Sequence, residues 1–332
     1  MGFKKGVKIQ VPNSKILEID DVCVYFPIKK FGQPTQYVRA MDHVSFSIKK
    51  GEIFALVGES GSGKTTTAKT VVKINKPSSG RVLFEGQDVF SNQMDKKLYR
   101  RNVQMIFQNP FDALNPTHTI GSILERPFVV HDLVPKKLIK DEVCQLLEQV
   151  GLNPPEEFVN KFPHELSGGE RQRVNIARAM AVNPKLVLAD EPTSMLDVSI
   201  KMTIMNMLKK LRDEKGISFL YITHDLAGAR YIGDRIGVMY AGVMVEMGPA
   251  DDVIQQAYHP YTQLLRSAAP QPEKDFIQKD FKFSGDIPNL ANPPSGCRFH
   301  PRCPQAEGRC TLEMPRLVDV GDGHLVRCVK YY

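Results

Sequence analysis

The amino-acid sequence predicts an α/β protein. Its core is a parallel sheet covered by helices, preceded by antiparallel strands and followed by a small, irregular, cysteine-rich C-terminal extension. Three observations carry this reading. The run "EIFALV" at 52–57 is continuously apolar, as a strand buried on both faces requires, and opens into a glycine-rich loop and a helical pattern. After residue 166, short apolar runs alternate with helical patterns across short connections, which argues for strands joined by crossover helices. From about residue 258 proline and glycine become frequent and periodicity fades, and four of the six cysteines fall in the last 36 residues.

Taken in order, "KILEIDDVCVYF" and "HVSFSI" alternate with period two and predict strands, with 27–39 a polar hairpin insertion between them. Residues 64–75 predict a helix, and "SSGRVLFEGQDV" reads as turn, strand, turn, strand. The stretch from about 95 to 165 reads as helical, broken by proline at 109–116 and 154–155, with Gly151 a stop signal after "LIKDEVCQLLEQV". Then follow a helix at 169–182, a strand "KLVLAD", a helix at 199–214, a strand "ISFLYIT", a helix at 225–233 and paired strands around "GVMYAGVMVE". The boundary with the extension is expected within 258–270, giving a main domain over 16–257 and an extension over 258–332.

Composition excludes more than it selects. The 332 residues are 42% hydrophobic and 24% charged, as in ordinary globular proteins, and the net charge of +7 demands neither nucleic acid nor membrane lipid as partner. No apolar run reaches the roughly 18 residues that span a bilayer, and "MGFKKGVKIQ" lacks the apolar centre of a secretory signal. A cytosolic chain is expected. Cys23 and Cys144 stand alone and read as ordinary thiols.

"GESGSGKTT" follows the strand at 52–57 and opens the next helix, the context that makes Gly58-x-x-x-x-Gly63-Lys64-Thr65 a P-loop. Its glycines let backbone N–H groups turn inward around phosphate oxygens, and the helix N-terminus adds partial positive charge. Glu59, Ser60, Gly61, Ser62 and Thr66 belong to the same cradle. Lys64 is expected to reach the β- and γ-phosphates, and Thr65 to offer its hydroxyl to Mg²⁺. The strand "KLVLAD" ends in Asp190, expected to hold that Mg²⁺, and Glu191 follows, placed to polarise the attacking water. Neither Asn-Lys pair, at 75–76 or at 160–161, is followed by the pattern of a guanine site, which favours ATP over GTP.

A second glycine loop, "LSGGERQR" at 166–173, puts Ser167, Gly168 and Gly169 at another helix start. With "SMLD" at 194–197 and "ITHD" at 222–225, these motifs occur in the order of the ATP-binding-cassette (ABC) ATPases, which the chain resembles over 16–250. The resemblance implies a RecA-like parallel core, an antiparallel β subdomain and a helical subdomain at about 108–180. It implies head-to-tail pairs of subunits, so that the second loop of one serves the ATP held by the other. It further implies Gln108 as the residue touching Mg²⁺ and the attacking water, His224 as the γ-phosphate switch, Asp197 as an interface acid, and Phe26, or its neighbour Tyr25, as the ring stacked on adenine. Glu170 departs from the usual glutamine of the signature loop. No catalytic position is degenerate, so the chain is expected to hydrolyse ATP.

"MIFQNPFDALNP", "FPHELSGGERQRV", "HPYTQLL" and "SGCRFHPRCP" are similar to the dipeptide/oligopeptide importer branch, over nearly the whole chain. That branch implies a homo- or heterodimer of ATPase subunits on the cytoplasmic face of the membrane, under two permeases fed by an extracytoplasmic solute-binding protein, with no nucleic acid bound. The competing expectation is a non-transport ABC ATPase acting on nucleic acid or the ribosome. For the tail, Cys297, Cys303, Cys310 and Cys328 suit one metal centre that replaces a missing core. Zinc usually takes closer pairs, and disulfides need an oxidising compartment; zinc, disulfides and a [4Fe–4S] cluster all stand as candidates on spacing. The resemblance implies the cluster. A structural role is expected because the tail lies far in sequence from the ATP motifs, and His300 and His324 read as surface or supporting residues.

Overall fold

The computed structural model describes residues 14–29, 31–32, 34–268 and 287–332, so the expectation drawn from the first ten residues lies outside the described residues. The chain opens with a long antiparallel pair, β1 (Lys15–Ile28) and β2 (Gln36–Lys49), then β3 (Ile53–Val57), the P-loop and α1 (Lys64–Val71). Next come β4 (Ser79–Phe84), β5 (Gln87–Asp88), α2 (Lys96–Asn102), β6 (Val103–Ile106), α3 (Pro110–Ala113), α4 (Ile120–His131), α5 (Ile139–Gln149) and α6 (Pro155–Val159). The second half runs α7 (Gly168–Met180), β7 (Leu186–Asp190), α8 (Val198–Lys215), β8 (Ser218–Thr223), α9 (Leu226–Ile232), β9 (Arg235–Tyr240) and β10 (Val243–Pro249). It closes with α10 (Ala250–Gln255), α11 (Pro260–Ala268), α12 (Arg309–Leu312), β11 (Val318–Asp319) and β12 (Leu325–Val326).

These strands make a four-stranded sheet, β2-β1-β4-β5, and an eight-stranded sheet, β11-β12-β10-β9-β3-β8-β7-β6. In the large sheet β9, β3, β8, β7 and β6 run parallel, and β10 and β12 add antiparallel to its edge. Every residue of β3, β7 and β8 is buried, which explains their unbroken apolar runs. Alternate side chains go to different layers. Phe54, Leu56, Leu188 and Leu220 face the core under the antiparallel sheet and α1, where Phe54 stacks on Phe46 at 4.9 Å. Val187, Ala189, Phe219 and Tyr221 face the core shared with α4, α5, α7 and α8.

Two expectations are corrected. The stretch 95–165 is not wholly helical: Val103–Ile106 is the edge strand β6, paired parallel with β7. Four residues, Gln104 among them, are too few for period to separate strand from helix. The helix expected over 64–75 ends at Val71. His324 is buried against the sheet, and its Nε2 lies 2.8 Å from Glu246 Oε1. The same fully buried carboxylate accepts from the N–H groups of Tyr258 and His259, at 2.8 and 3.0 Å. These contacts fasten the C-terminal segment to β10 and continue the main sheet into it. Among the described residues, no helix is long and apolar enough to cross a membrane.

Candidate active site

The site forms at the carboxyl ends of β3, β7 and β8, where neighbouring parallel strands deliver their loops side by side. The P-loop leaves β3 and wraps into α1. Gly63 holds φ +107°, and a Cβ there would strike the Ala40 carbonyl oxygen; a Cβ on Gly58 would strike that of Met239. Both positions therefore require glycine. Gly61, at φ +78°, has open space around it.

Lys64 is buried, and its Nζ donates to the Gly58 and Glu59 carbonyls at 2.7 and 2.9 Å. Burial lowers its affinity for a proton, against the opposing pull of Glu191, Asp190 and Glu59. An anion in the loop would restore the balance. Ser62 is buried and Ser60 exposed, and Thr66 lies in the first turn of α1 behind them.

The Thr65 hydroxyl donates to Asp190 Oδ1 at 3.2 Å, so the hydroxyl and the strand-end acid named for Mg²⁺ are adjacent. Burial pushes the Asp190 carboxyl above the usual carboxylate range. Two hard oxygen donors beside a phosphate loop fit a magnesium ion.

One residue further, Glu191 Oε2 accepts from Gln108 Nε2 at 3.0 Å and lies 3.3 Å from His224 Nδ1. Three residues from three loops thus meet at one oxygen atom. Glu191 sits at φ 45°, a left-handed conformation that costs a non-glycine residue about 1–2 kcal/mol. Its N–H is held by the Ile222 carbonyl at 2.9 Å, so the neighbouring strand β8 fixes this strained turn.

The signature loop is built differently. Ser167 caps α7 in a reciprocal box: Glu170 N–H donates to Ser167 Oγ at 3.3 Å, and Glu170 Oε2 accepts from the Ser167 N–H at 2.8 Å and its hydroxyl at 2.7 Å. Glutamate thus does here the capping work open to the usual glutamine, and the Ser167 hydroxyl holds its carboxyl below the usual range. Arg171 donates to the Leu166 carbonyl at 2.9 Å and lies over the Phe111 ring at 4.3 Å. Gly169 approaches Ile200, while Gly168 has room beside it. Among the described residues, no hydrogen bond or ion pair joins Ser167, Gly168 or Gly169 to the P-loop. Asp197 starts α8 with an exposed side chain that makes no cap hydrogen bond.

The two candidate adenine rings separate. Tyr25 is tied by its hydroxyl to Asp42, while Phe26 is 39% exposed and free to stack. Asp42 is also paired with Arg298, which is 2% exposed. Cys23, Asp42 and His43 are the one trio of potential metal ligands lying within 4.8 Å of one another among the described residues. Arg298 and Tyr25 already occupy that carboxylate, so the trio reads as a polar anchor.

Cys297, Cys303, Cys310 and Cys328 line one cavity with His259 and Phe299, and no disulfide joins them. No three of their sulfurs form a set within 4.8 Å. Burial pushes the Cys297 thiol up to about 11 and raises Cys303 and Cys328 as well. A bound cationic centre would lower them again. His300 turns its Nδ1 to the Cys297 carbonyl, 2.9 Å away.

Sequence reasoning missed the residues that reach the P-loop from the C-terminal segment. Tyr261 Oη accepts from the Glu59 N–H at 2.8 Å, and Arg302 grips the Glu59 carboxylate with two nitrogens, at 2.8 and 3.1 Å. These partners lie 202 and 243 positions away in sequence, and no local pattern marks them.

The ABC transporter family model matches residues 41–194, and a model described as the oligopeptide/dipeptide transporter C-terminal region matches 245–310. The chain is 44% identical to the oligopeptide transport ATP-binding protein AppF of Bacillus subtilis, over 95% of this chain and 97% of that one. It is 39% identical to the dipeptide transport ATP-binding protein DppF of Escherichia coli, over 94% and 93%. Among solved structures it is similar to cbiO1 of Clostridium perfringens, part of an ABC transporter complex, with a TM-score of 0.64 at 27% identity over 74% of this chain and 92% of that one. It is also similar to the dimeric cassette MJ0796 bound to ADP and Pi, with a TM-score of 0.61 at 32% identity over 70% and 98%.

Proposed function

The chain belongs to the ABC transporter family, among the ATP-binding subunits of oligopeptide and dipeptide transporters, and we propose from its site how it hydrolyses ATP to power peptide import. The observation that carries the reading is the meeting of Gln108 and His224 on Glu191 Oε2, beside the Thr65–Asp190 pair. The P-loop N–H groups from Ser60 to Thr66 and the Lys64 ammonium bind the phosphates, and Phe26 stacks on adenine. Thr65, Asp190 and Gln108 would hold Mg²⁺, which would offset the charge of the phosphate oxygens. The Glu191 carboxylate orients a water in line with the γ-phosphorus and draws on its proton. Gln108 and His224 hold that carboxylate in place.

Ser167, Gly168, Gly169 and Asp197 act on the nucleotide of a second ATPase subunit, either another copy or a related chain. Their lack of contact with this chain's own P-loop supports that role. We take residues 16–257 as the ATPase unit, with its helical part at about 108–180, and 258–332 as the extension. A groove beside Gln108, lined by Phe107, Arg126, Pro127, Val130 and Arg178, suits an amphipathic segment of a permease on the cytoplasmic face of the membrane. Two such permeases receive solute from an extracytoplasmic binding protein. The four tail cysteines hold a [4Fe–4S] cluster, a reading supported by the single cavity they share. Action on nucleic acid or the ribosome is not favoured, since the C-terminal segment matches a peptide-transporter region.

Phosphate release by the purified chain with Mg²⁺ and ATP tests the hydrolytic reading. Release that disappears in Lys64→Ala supports it, and release of equal rate in that variant refutes it.

A further inference from the structure

We propose that Arg302 and Tyr261 are positioning residues of the nucleotide site: from the C-terminal extension they hold Glu59, and through it the P-loop, in the shape that binds ATP. The inference rests on the P-loop reading above.

Glu59 is gripped at three points. Its carboxylate takes the bidentate Arg302 guanidinium, its N–H donates to Tyr261 Oη, and its carbonyl accepts from Lys64 Nζ at 2.9 Å and from the Ser62 N–H at 3.2 Å. Fixing the N–H and the carbonyl of one residue fixes both peptide planes around it. The second of those planes carries the Ser60 N–H, at the rim of the anion cradle. The same carbonyl steers the lysine, so a shift of Glu59 moves Lys64 as well.

Arg302 does not serve the extension's own packing through its charge. Glu307 and Glu313 lie nearby in sequence, yet the guanidinium crosses to the P-loop, with 12% of its side chain exposed. It lies beside the Tyr240 and Phe299 rings, at 5.7 and 5.9 Å, and Tyr240, Tyr261 and Phe299 pack on one another within 5.5 Å. This aromatic triad is a rigid bed for the arginine. A bidentate guanidinium–carboxylate pair on such a bed is geometrically specific, and lysine cannot reproduce it.

The placement of Arg302 is also tied to the cysteine cavity. Cys297 and Cys303 bracket the turn "CRFHPRC", whose two arginines reach the nucleotide side at separate points. Arg302 holds Glu59, while Arg298 holds Asp42 and the Ala241 carbonyl. The Gly242 N–H in turn donates to the Ser62 carbonyl at 2.9 Å. One turn therefore braces the P-loop on two sides.

The test is ATP binding by the full chain, with KM and kcat measured separately. Arg302→Gln and Glu59→Gln each weaken ATP affinity about tenfold and raise KM in step, with kcat within about twofold of the parent. The double variant is no weaker than either single one, as a shared contact requires. Arg302→Lys recovers part of the loss. Tyr261→Phe removes a single hydroxyl and weakens affinity about threefold, so it carries the test if Arg302→Gln does not fold. ATP affinities of Arg302→Gln and Tyr261→Phe equal to the parent's, while Lys64→Ala binds weakly, would overturn this inference and leave the P-loop reading standing. Parental affinity in Lys64→Ala would overturn the P-loop reading instead.

Discussion

The chain carries two glycine loops at helix starts, and they are finished to different degrees. The P-loop is braced on every side by its own chain: Lys64 lies over its carbonyls, Thr65 meets Asp190, and Tyr261 and Arg302 hold Glu59. The signature loop is braced only from behind, by the Ser167–Glu170 box and by Arg171 on the Leu166 carbonyl. Its front is open, and next to it Met195 and Val198 expose 56% and 78% of their surface. The difference fits the proposed reading, in which one chain holds a complete binding site and half of a catalytic one.

The largest expected effect lies on the braced side. Glu191→Gln keeps the shape of the side chain and its contacts with Gln108 and His224 but removes the base. Turnover falls at least about 10³-fold with ATP binding retained, measured as phosphate release against nucleotide affinity. A turnover within tenfold of the parent would remove Glu191 from that role.

Gly168→Asp probes the open side. A Cβ at 168 meets only Leu196, at 3.7 Å, and an acid in the first turn suits the helix dipole, so α7 tolerates the change. It places a carboxylate where the partner's phosphate is expected. Turnover falls about 100-fold while the single chain's ATP affinity stays at the parent value. A loss of affinity in the isolated chain would break the distinction between the two loops. Lys64→Ala acts instead on binding itself, with affinity about 10- to 100-fold weaker, since it deletes a charged donor facing the phosphates.

How far this contrast could be foreseen varies along the chain. The strands β3, β7 and β8 and the motifs on their loops were legible because each is a local pattern, a short apolar run ending in a glycine turn or an acid. So was the helix after Ser167, whose cap and capping partner stand three residues apart. The strand β6 was not, since Val103–Ile106 is too short to show a period. Nor was the docking of the extension: β11 and β12 are two residues each, and Glu246, His324, Arg298 and Arg302 find their partners only through the fold. Reading the tail as remote from the ATP motifs followed from sequence distance, and in space Arg302 touches the P-loop.

The smallest expected effect concerns Glu170. Because the Ser167 hydroxyl holds its carboxyl below the usual range, its share of stability is full above the unfolded value of about 4.3 and is lost as pH falls through the lower folded value. Glu170→Gln keeps a side chain that can close the box but does not titrate. Melting temperatures should differ by no more than about 2 °C at neutral pH, with the parent higher, and converge below about pH 4. A gap that widens on acidification would place the stabilising proton elsewhere.

Mixing two inactive variants tests the composite site most directly. In a head-to-tail pair of one Lys64→Ala chain and one Gly168→Asp chain, the intact P-loop of the second faces the intact signature loop of the first, while the other site carries both defects. The mixture should hydrolyse ATP at about a quarter of the parent rate per chain, well above either variant alone. A mixture no faster than the sum of its two components would contradict the account, because each chain would then be using its own signature loop or none.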